Sequence, residues 1–85
     1  MNIINPATEE IITTVEEDNK ISLDKKFALL KNSQPDWAGK SLPDRIAILK
    51  NFYDLLDSEK ESLSSVLSSE VGKPIQQSRN EINGA

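Results

Sequence analysis

The chain has no cysteine and no histidine. Without cysteine there are no disulfides, no thiolate metal sites and no cysteine nucleophile. Without histidine the usual general base and the commonest metal ligand are missing too. Ser–Lys or two-carboxylate chemistry survives that subtraction, yet no spacing of these residues points to either. Glycine is sparse: Gly39, Gly72 and Gly84 are the only three, and they are scattered. A dinucleotide-binding turn needs glycines close together so that backbone can approach the pyrophosphate. Aromatics are limited to Phe27, Trp37, Phe52 and Tyr53. Basic residues are outnumbered, with 10 Lys and Arg against 14 Asp and Glu, for a net charge of −4. That is the wrong sign for a nucleic-acid face. No apolar run approaches the roughly 20 residues of a membrane-spanning helix. The opening Met1-Asn2-Ile3-Ile4-Asn5-Pro6 lacks the basic stretch and apolar core of a secretory signal. The expected setting is the cytoplasm, with no nucleic-acid or membrane partner.

What remains is 85 residues, 36% hydrophobic and 28% charged. That allows a single small domain, 1–85, burying only about 60–65% of its unfolded surface. Residues 1–15 read as a β-hairpin. Ile3-Ile4 and Ile11-Ile12-Thr13-Thr14-Val15 are β-branched runs, and Asn5-Pro6-Ala7-Thr8-Glu9-Glu10 between them is turn-like. After the solvated connection Glu16-Glu17-Asp18-Asn19-Lys20, residues 22–85 read as a helical region of about four amphipathic helices. Ser22 caps the first, whose Leu23, Phe27 and Leu30 share a face. Gln34-Pro35 should end or disturb it, with Trp37-Ala38 forming a further turn. Ser41-Leu42-Pro43-Asp44 is a helix start with capping-box spacing, and Arg45 beside Asp44 suits local ion pairing. Ile46, Leu49, Phe52 or Tyr53, and Leu56 form one face of that second helix, widened by Ile48 and Leu55. Asp57-Ser58 caps a third helix with Leu63, Val66, Leu67 and Val71 inside. Gly72 stands where a left-handed C-terminal cap is expected. Pro74 opens a fourth helix with Ile75 and Ile82 inward. The six serines from Ser58 to Ser69 read as a solvated face. Lys73 after Gly72 lacks the strand and spacing of a phosphate loop, and Trp37 reads as packing.

Asn5-Pro6-Ala7-Thr8-Glu9-Glu10, Trp37-Ala38 and Glu70-Val71-Gly72-Lys73-Pro74, in this order and separated by amphipathic sequence, resemble the N-terminal part of the aldehyde dehydrogenase superfamily. The stretch from Glu70 to Arg79, with Glu81, looks most like the branch acting on succinate semialdehyde and related aldehydes. The resemblance covers essentially the whole chain. One position departs from it: the family usually has glycine where Glu9 stands. A positive φ there costs a glutamate about 1 kcal/mol, so the turn either changes or is weaker.

The resemblance implies a mainly α fold, a short N-terminal β-hairpin followed by about four helices, forming an incomplete part of the cofactor domain. It implies a parent enzyme, several times longer, that uses NAD or NADP. In such enzymes a cysteine thiolate attacks the aldehyde and hydride passes to the nicotinamide. No catalytic or cofactor-binding residue of that chemistry falls within this chain, which is expected to be inactive alone. In many relatives an acidic side chain at the position of Glu70 acts with backbone carbonyls at those of Ile3 and Ile4 on a structural monovalent cation. Hard cations take such oxygen donors. The expected partners are the remainder of the parent polypeptide and, through exposed apolar faces, further copies of the chain. The chain closes on Asn83-Gly84-Ala85 without a stop signal, which reads as a piece of a longer enzyme. The rival is a stand-alone, small, acidic helical module that binds a partner through the second-helix face.

Overall fold

The computed structural model describes every residue, Met1–Ala85. The elements are β1 (Asn2–Ile4), β2 (Ile11–Thr14), α1 (Lys20–Gly39), α2 (Leu42–Ser58), α3 (Lys60–Val71) and α4 (Ile75–Gly84). The chain divides into two compact units, one of Met1–Val15 with Phe52–Ala85 and one of Glu16–Asn51.

In the first unit, β1 and β2 form an antiparallel hairpin pairing Asn2 with Thr14, Ile3 with Thr13 and Ile4 with Ile11. Ile12 is the extra residue of a bulge, which bends the strand and raises its twist. The Asn5 side chain accepts from Ala7 N–H at 2.9 Å, and the Asn5 carbonyl accepts from Glu9 N–H at 2.8 Å. This is the local chemistry that favours Asn in turns. Glu9 adopts φ 61°, so the turn keeps the left-handed conformation although glycine is absent. Glu9→Gly is therefore expected to stabilise the hairpin by about 1 kcal/mol, read as increased protection of the Asn5 and Val15 amides in hydrogen exchange.

The hairpin is followed in this unit by the last turns of α2 and by α3 and α4, which pack on each other. Gly72 ends α3 with φ 73°, the expected cap, and Pro74 precedes the first turn of α4. The start of α3 differs from expectation. Ser58 is the last residue of α2 and donates to the Leu55 carbonyl at 2.8 Å. Glu59 then leads into α3 without a side-chain cap.

In the second unit, α1 begins two residues before Ser22. Asn19 is the cap: its side chain accepts from Ser22 N–H at 3.0 Å, and Ser22 Oγ accepts in return from Asn19 N–H at 3.0 Å. The reciprocal pair satisfies two helix-end donors at once. Pro35 does not stop this helix, which runs through it to Gly39 and takes Trp37-Ala38 into its last turn. The start of α2 is as expected, with Asp44 N–H donating to Ser41 Oγ at 3.2 Å.

No hydrophobic side chain is buried anywhere; the only fully buried residues are Ser64 and Ser78. The expected inner faces are present as stripes but uncovered. Val66 and Val71 of α3 are exposed, Leu63 and Leu67 half-buried. On α2 only Leu56 among the apolar residues is half-buried. Leu23, Phe27 and Leu30 of α1 are all exposed.

Candidate functional site

Three places collect polar or charged side chains. The first is the seam between α3 and α4. Ser64 and Ser68 lie one helical turn apart on α3, and Ser78 sits on α4 three residues after Ile75, on the same face. Small side chains let the two helices approach closely. Ser68 Oγ and Ser78 Oγ share a hydrogen bond of 2.8 Å, while Ser64 Oγ is buried with no partner. The solvated reading of the serine run holds at Ser58, Ser62 and Ser65, which are exposed, and is corrected at Ser64, which is buried, and at Ser68, which is half-buried against Ser78. The signal was present in the i, i+4 spacing of Ser64 and Ser68, but a serine repeat reads equally well as surface.

A buried hydroxyl without a partner carries its desolvation cost with no return. Ser64→Ala is accordingly expected to raise stability by about 1 kcal/mol, and Ser78→Ala, which strands Ser68, to lower it by a similar amount. Urea titrations followed by far-ultraviolet circular dichroism should give opposite signs for the two variants.

One ion pair crosses the same helices and a second ties their connection to α4. Arg79 binds Glu61 in a fork, Nε donating at 3.0 and 3.2 Å and Nη2 at 2.9 Å, and Lys73 pairs with Glu81. The hydrogen bond from Arg79 holds the Glu61 carboxyl below its ordinary range, and the same bond raises Arg79 above its own. A carboxylate depressed in the folded state adds stability that is complete above its unfolded value and is lost as pH falls through the lowered one. Acidification should therefore loosen the fork only below the ordinary glutamate range. A carboxyl-carbon NMR titration should show Glu61 protonating below the ordinary glutamate range, and Arg79→Gln should return it to that range.

The second place is the junction of hairpin tip and α3 cap. A Cβ on Gly72 would lie 2.8 Å from Pro6 Cγ, so the tip rests on the glycine itself. Ile3 and Ile4 are in β1, Ile3 half-buried and Ile4 exposed. Glu70 is exposed in the last turn of α3. The Pro6–Gly72 contact brings their two segments to one end of this unit. No group of three or more His, Cys, Asp or Glu is placed to hold a metal ion, at Glu70 or elsewhere in the chain.

The third place is the start of α1, where a recess of about 210 Å³ is lined by Glu16, Glu17, Asp18, Asn19, Ser22 and Lys26. Asp18 accepts from Ser22 Oγ at 2.7 Å and Lys26 Nζ at 2.6 Å. These bonds, that from Lys26 foremost, hold its carboxyl below the usual range. Asp18 is exposed, as expected of a solvated connection, and its carboxylate also serves the helix start. Arg45 also departs from expectation: its Nε is buried without a partner, and none of the ion pairs above includes it.

The glycines do not provide a dinucleotide turn. Gly39 and Gly84 end α1 and α4, and the space a side chain would take at Gly72 is filled by Pro6. None follows a strand and opens a helix, as pyrophosphate binding requires. These glycines therefore do not fit a dinucleotide's pyrophosphate. No helix is long and apolar enough to cross a membrane.

The profile of the aldehyde dehydrogenase family matches residues 1–85. Over 81 residues the chain is 31% identical to the N-succinylglutamate 5-semialdehyde dehydrogenase of Acinetobacter baylyi, covering 95% of this chain and 17% of that protein. It is also 31% identical over 81 residues to malonate-semialdehyde dehydrogenase 1 of Shouchella clausii, covering 95% and 16%. A second N-succinylglutamate 5-semialdehyde dehydrogenase, from Burkholderia lata, is 31% identical over 78 residues, covering 92% and 16%. The chain thus spans about a sixth of the length of these curated relatives. No solved structure matches it significantly. The match across the whole chain, on a β-hairpin followed by four helices, makes this chain a member of the aldehyde dehydrogenase family.

Proposed function

We propose that this chain is the N-terminal scaffold segment of an NAD(P)-dependent aldehyde dehydrogenase, helping to complete the cofactor domain of a cytoplasmic enzyme, and that it catalyses nothing alone. The observation that carries this reading is a family match over residues 1–85 that spans only 16–17% of relatives. The bare apolar faces of α1 and α2 support it, since a chain with no buried hydrophobic side chain gains little from burial within itself. The same observation weighs against a stand-alone interaction module. The rest of the polypeptide would cover these faces and supply the cysteine and the cofactor-binding glycines.

The parent's substrate class is a semialdehyde, an aldehyde with a carboxylate elsewhere on the molecule. The names of the relatives above support this, as does the stretch from Glu70 to Arg79. Glu70, with the backbone carbonyls of Ile3 and Ile4, is proposed to contribute to a monovalent-cation site of the parent. The Pro6–Gly72 contact supports that placement.

The test is an immunoblot of source-cell extract with an antibody to this segment, followed by assay of the captured protein. The expected result is a species several times heavier than 9.5 kDa that forms NAD(P)H with semialdehydes. A product of 9.5 kDa alone, or a heavier one without that activity, would overturn the reading.

A further inference from the structure

The chain has seven asparagines, and the fold holds them differently. The Oδ1 atoms of Asn2, Asn5, Asn19 and Asn80 accept hydrogen bonds from Thr14 Oγ1, Ala7 N–H, Ser22 N–H and Gln76 Nε2. Asn32 and Asn51 lie inside α1 and α2. Asn83 stands apart. It is exposed in the last turn of α4, no hydrogen bond holds its side chain, and it alone is followed by glycine. Nothing in the fold demands that glycine. Gly72 is the only glycine with a positive φ, and a Cβ at Gly84 would meet no atom within 4 Å. The turn itself is loosely closed, through a bond of 3.3 Å from Ala85 N–H to the Ile82 carbonyl.

We propose that Asn83 is a deamidation site of the folded chain, with the backbone nitrogen of Gly84 as nucleophile and water as the only other reactant. That nitrogen attacks Cγ of Asn83. An N–Cγ bond forms, the Cγ–Nδ2 bond breaks, and Nδ2 leaves as ammonia, carrying away the proton of the Gly84 amide. Water then adds to either carbonyl of the five-membered imide and breaks one of its two C–N bonds. One opening leaves aspartate. The other leaves isoaspartate, whose main chain runs through the former side chain. Nothing is oxidised or reduced. The ring cannot close while the asparagine keeps a helical ψ, which protects Asn32, Asn51 and Asn80. Helix ends fray at little free-energy cost, and glycine leaves the attacking amide free of Cβ clashes. The product changes its surroundings. Its carboxylate stands at the negative end of α4 and borders, with Asp57 and Lys60, a recess of about 50 Å³. This inference does not rest on the enzymatic reading.

The test is incubation of the folded full chain at neutral pH, beside the same chain unfolded in guanidinium chloride. Peptide mass mapping and isoaspartate-specific methylation follow the products. In the folded chain the mass gain of NH-to-O replacement is expected first at Asn83, within about tenfold of its unfolded rate, while Asn32, Asn51 and Asn80 are slowed far more. Isoaspartate should accompany it, and the chain, of net charge −4, should gain one further negative charge on isoelectric focusing. Gly84→Ala should slow the conversion about tenfold or more, because a Cβ narrows the conformations open to the attacking amide. A Cβ there meets nothing, so this variant should keep its fold, as helical circular dichroism checks. Asn83 converting no faster than the asparagines inside helices would overturn the proposal. So would a Gly84→Ala variant that deamidates as the unsubstituted chain does, or a mass gain at Asn83 without isoaspartate.

Discussion

Gly72→Ala is expected to destabilise the unit of Met1–Val15 and Phe52–Ala85 by about 2–5 kcal/mol, from two separable causes. The backbone at Gly72 has φ 73°, which costs a residue with a Cβ about 1–2 kcal/mol. The new Cβ would also stand 2.8 Å from Pro6 Cγ, closer than van der Waals contact allows, and overpacking of this kind costs about 1–3 kcal/mol. The proline ring cannot turn aside as a long side chain could, so the hairpin tip or the α3 cap must shift. Pro6→Ala separates the causes. In that background Gly72→Ala should retain the conformational cost and lose most of the steric one. Urea midpoints for the two single variants and the double variant form the required cycle. Equal effects of Gly72→Ala in both backgrounds would show that the hairpin tip does not bear on the cap.

Pro35→Ala should have the second large effect, in the opposite direction. Proline within a helix lacks the N–H that would bond to the carbonyl four residues back, here Lys31, and its ring crowds that carbonyl; the cost is about 3 kcal/mol. Alanine gives the chain more freedom when unfolded, which returns about 0.4–1 kcal/mol of the gain. The net expectation is about 2–3 kcal/mol in the local opening of the second half of α1. Hydrogen exchange over residues 31–39 should slow, and helical circular dichroism should rise. α1 is the right place for a visible change, because none of its residues is buried and backbone terms are not masked by packing. Unchanged exchange would mean that the helix already accommodates the proline at no cost.

These two positions show where local sequence suffices and where it does not. Gly72 was legible because only glycine takes a left-handed cap without penalty, and the helix before it had the expected period. The Asn5–Glu10 turn, the Ser41 cap and the order of hairpin and helices were legible for the same reason: each rests on chemistry within a few residues. Pro35 misled because proline's preference is a local energy of a few kcal/mol, and the turns on either side of it outweigh that energy. Ser22 misled by three positions, since a capping box can be entered from either member and Asn19 holds the better backbone geometry.

The candidate site divides in the same way. Glu70, Ile3 and Ile4 are placed by elements that short-range patterns predict, and family membership is carried by motifs read in order along the chain. Short-range patterns therefore specify the hairpin, the four helices, the glycine cap and the family motifs. Packing between distant segments sets the rest: Pro6 rests on Gly72, Arg79 reaches Glu61 across 18 residues of sequence, and Ser64 and Ser78 are buried while the aliphatic stripes are bare. The physical reason is the range of the forces. Turn, cap and helix preferences are settled by neighbours within one or two helical turns. Burial depends on which surface meets which, and an apolar stripe records the need for a cover without recording what supplies it.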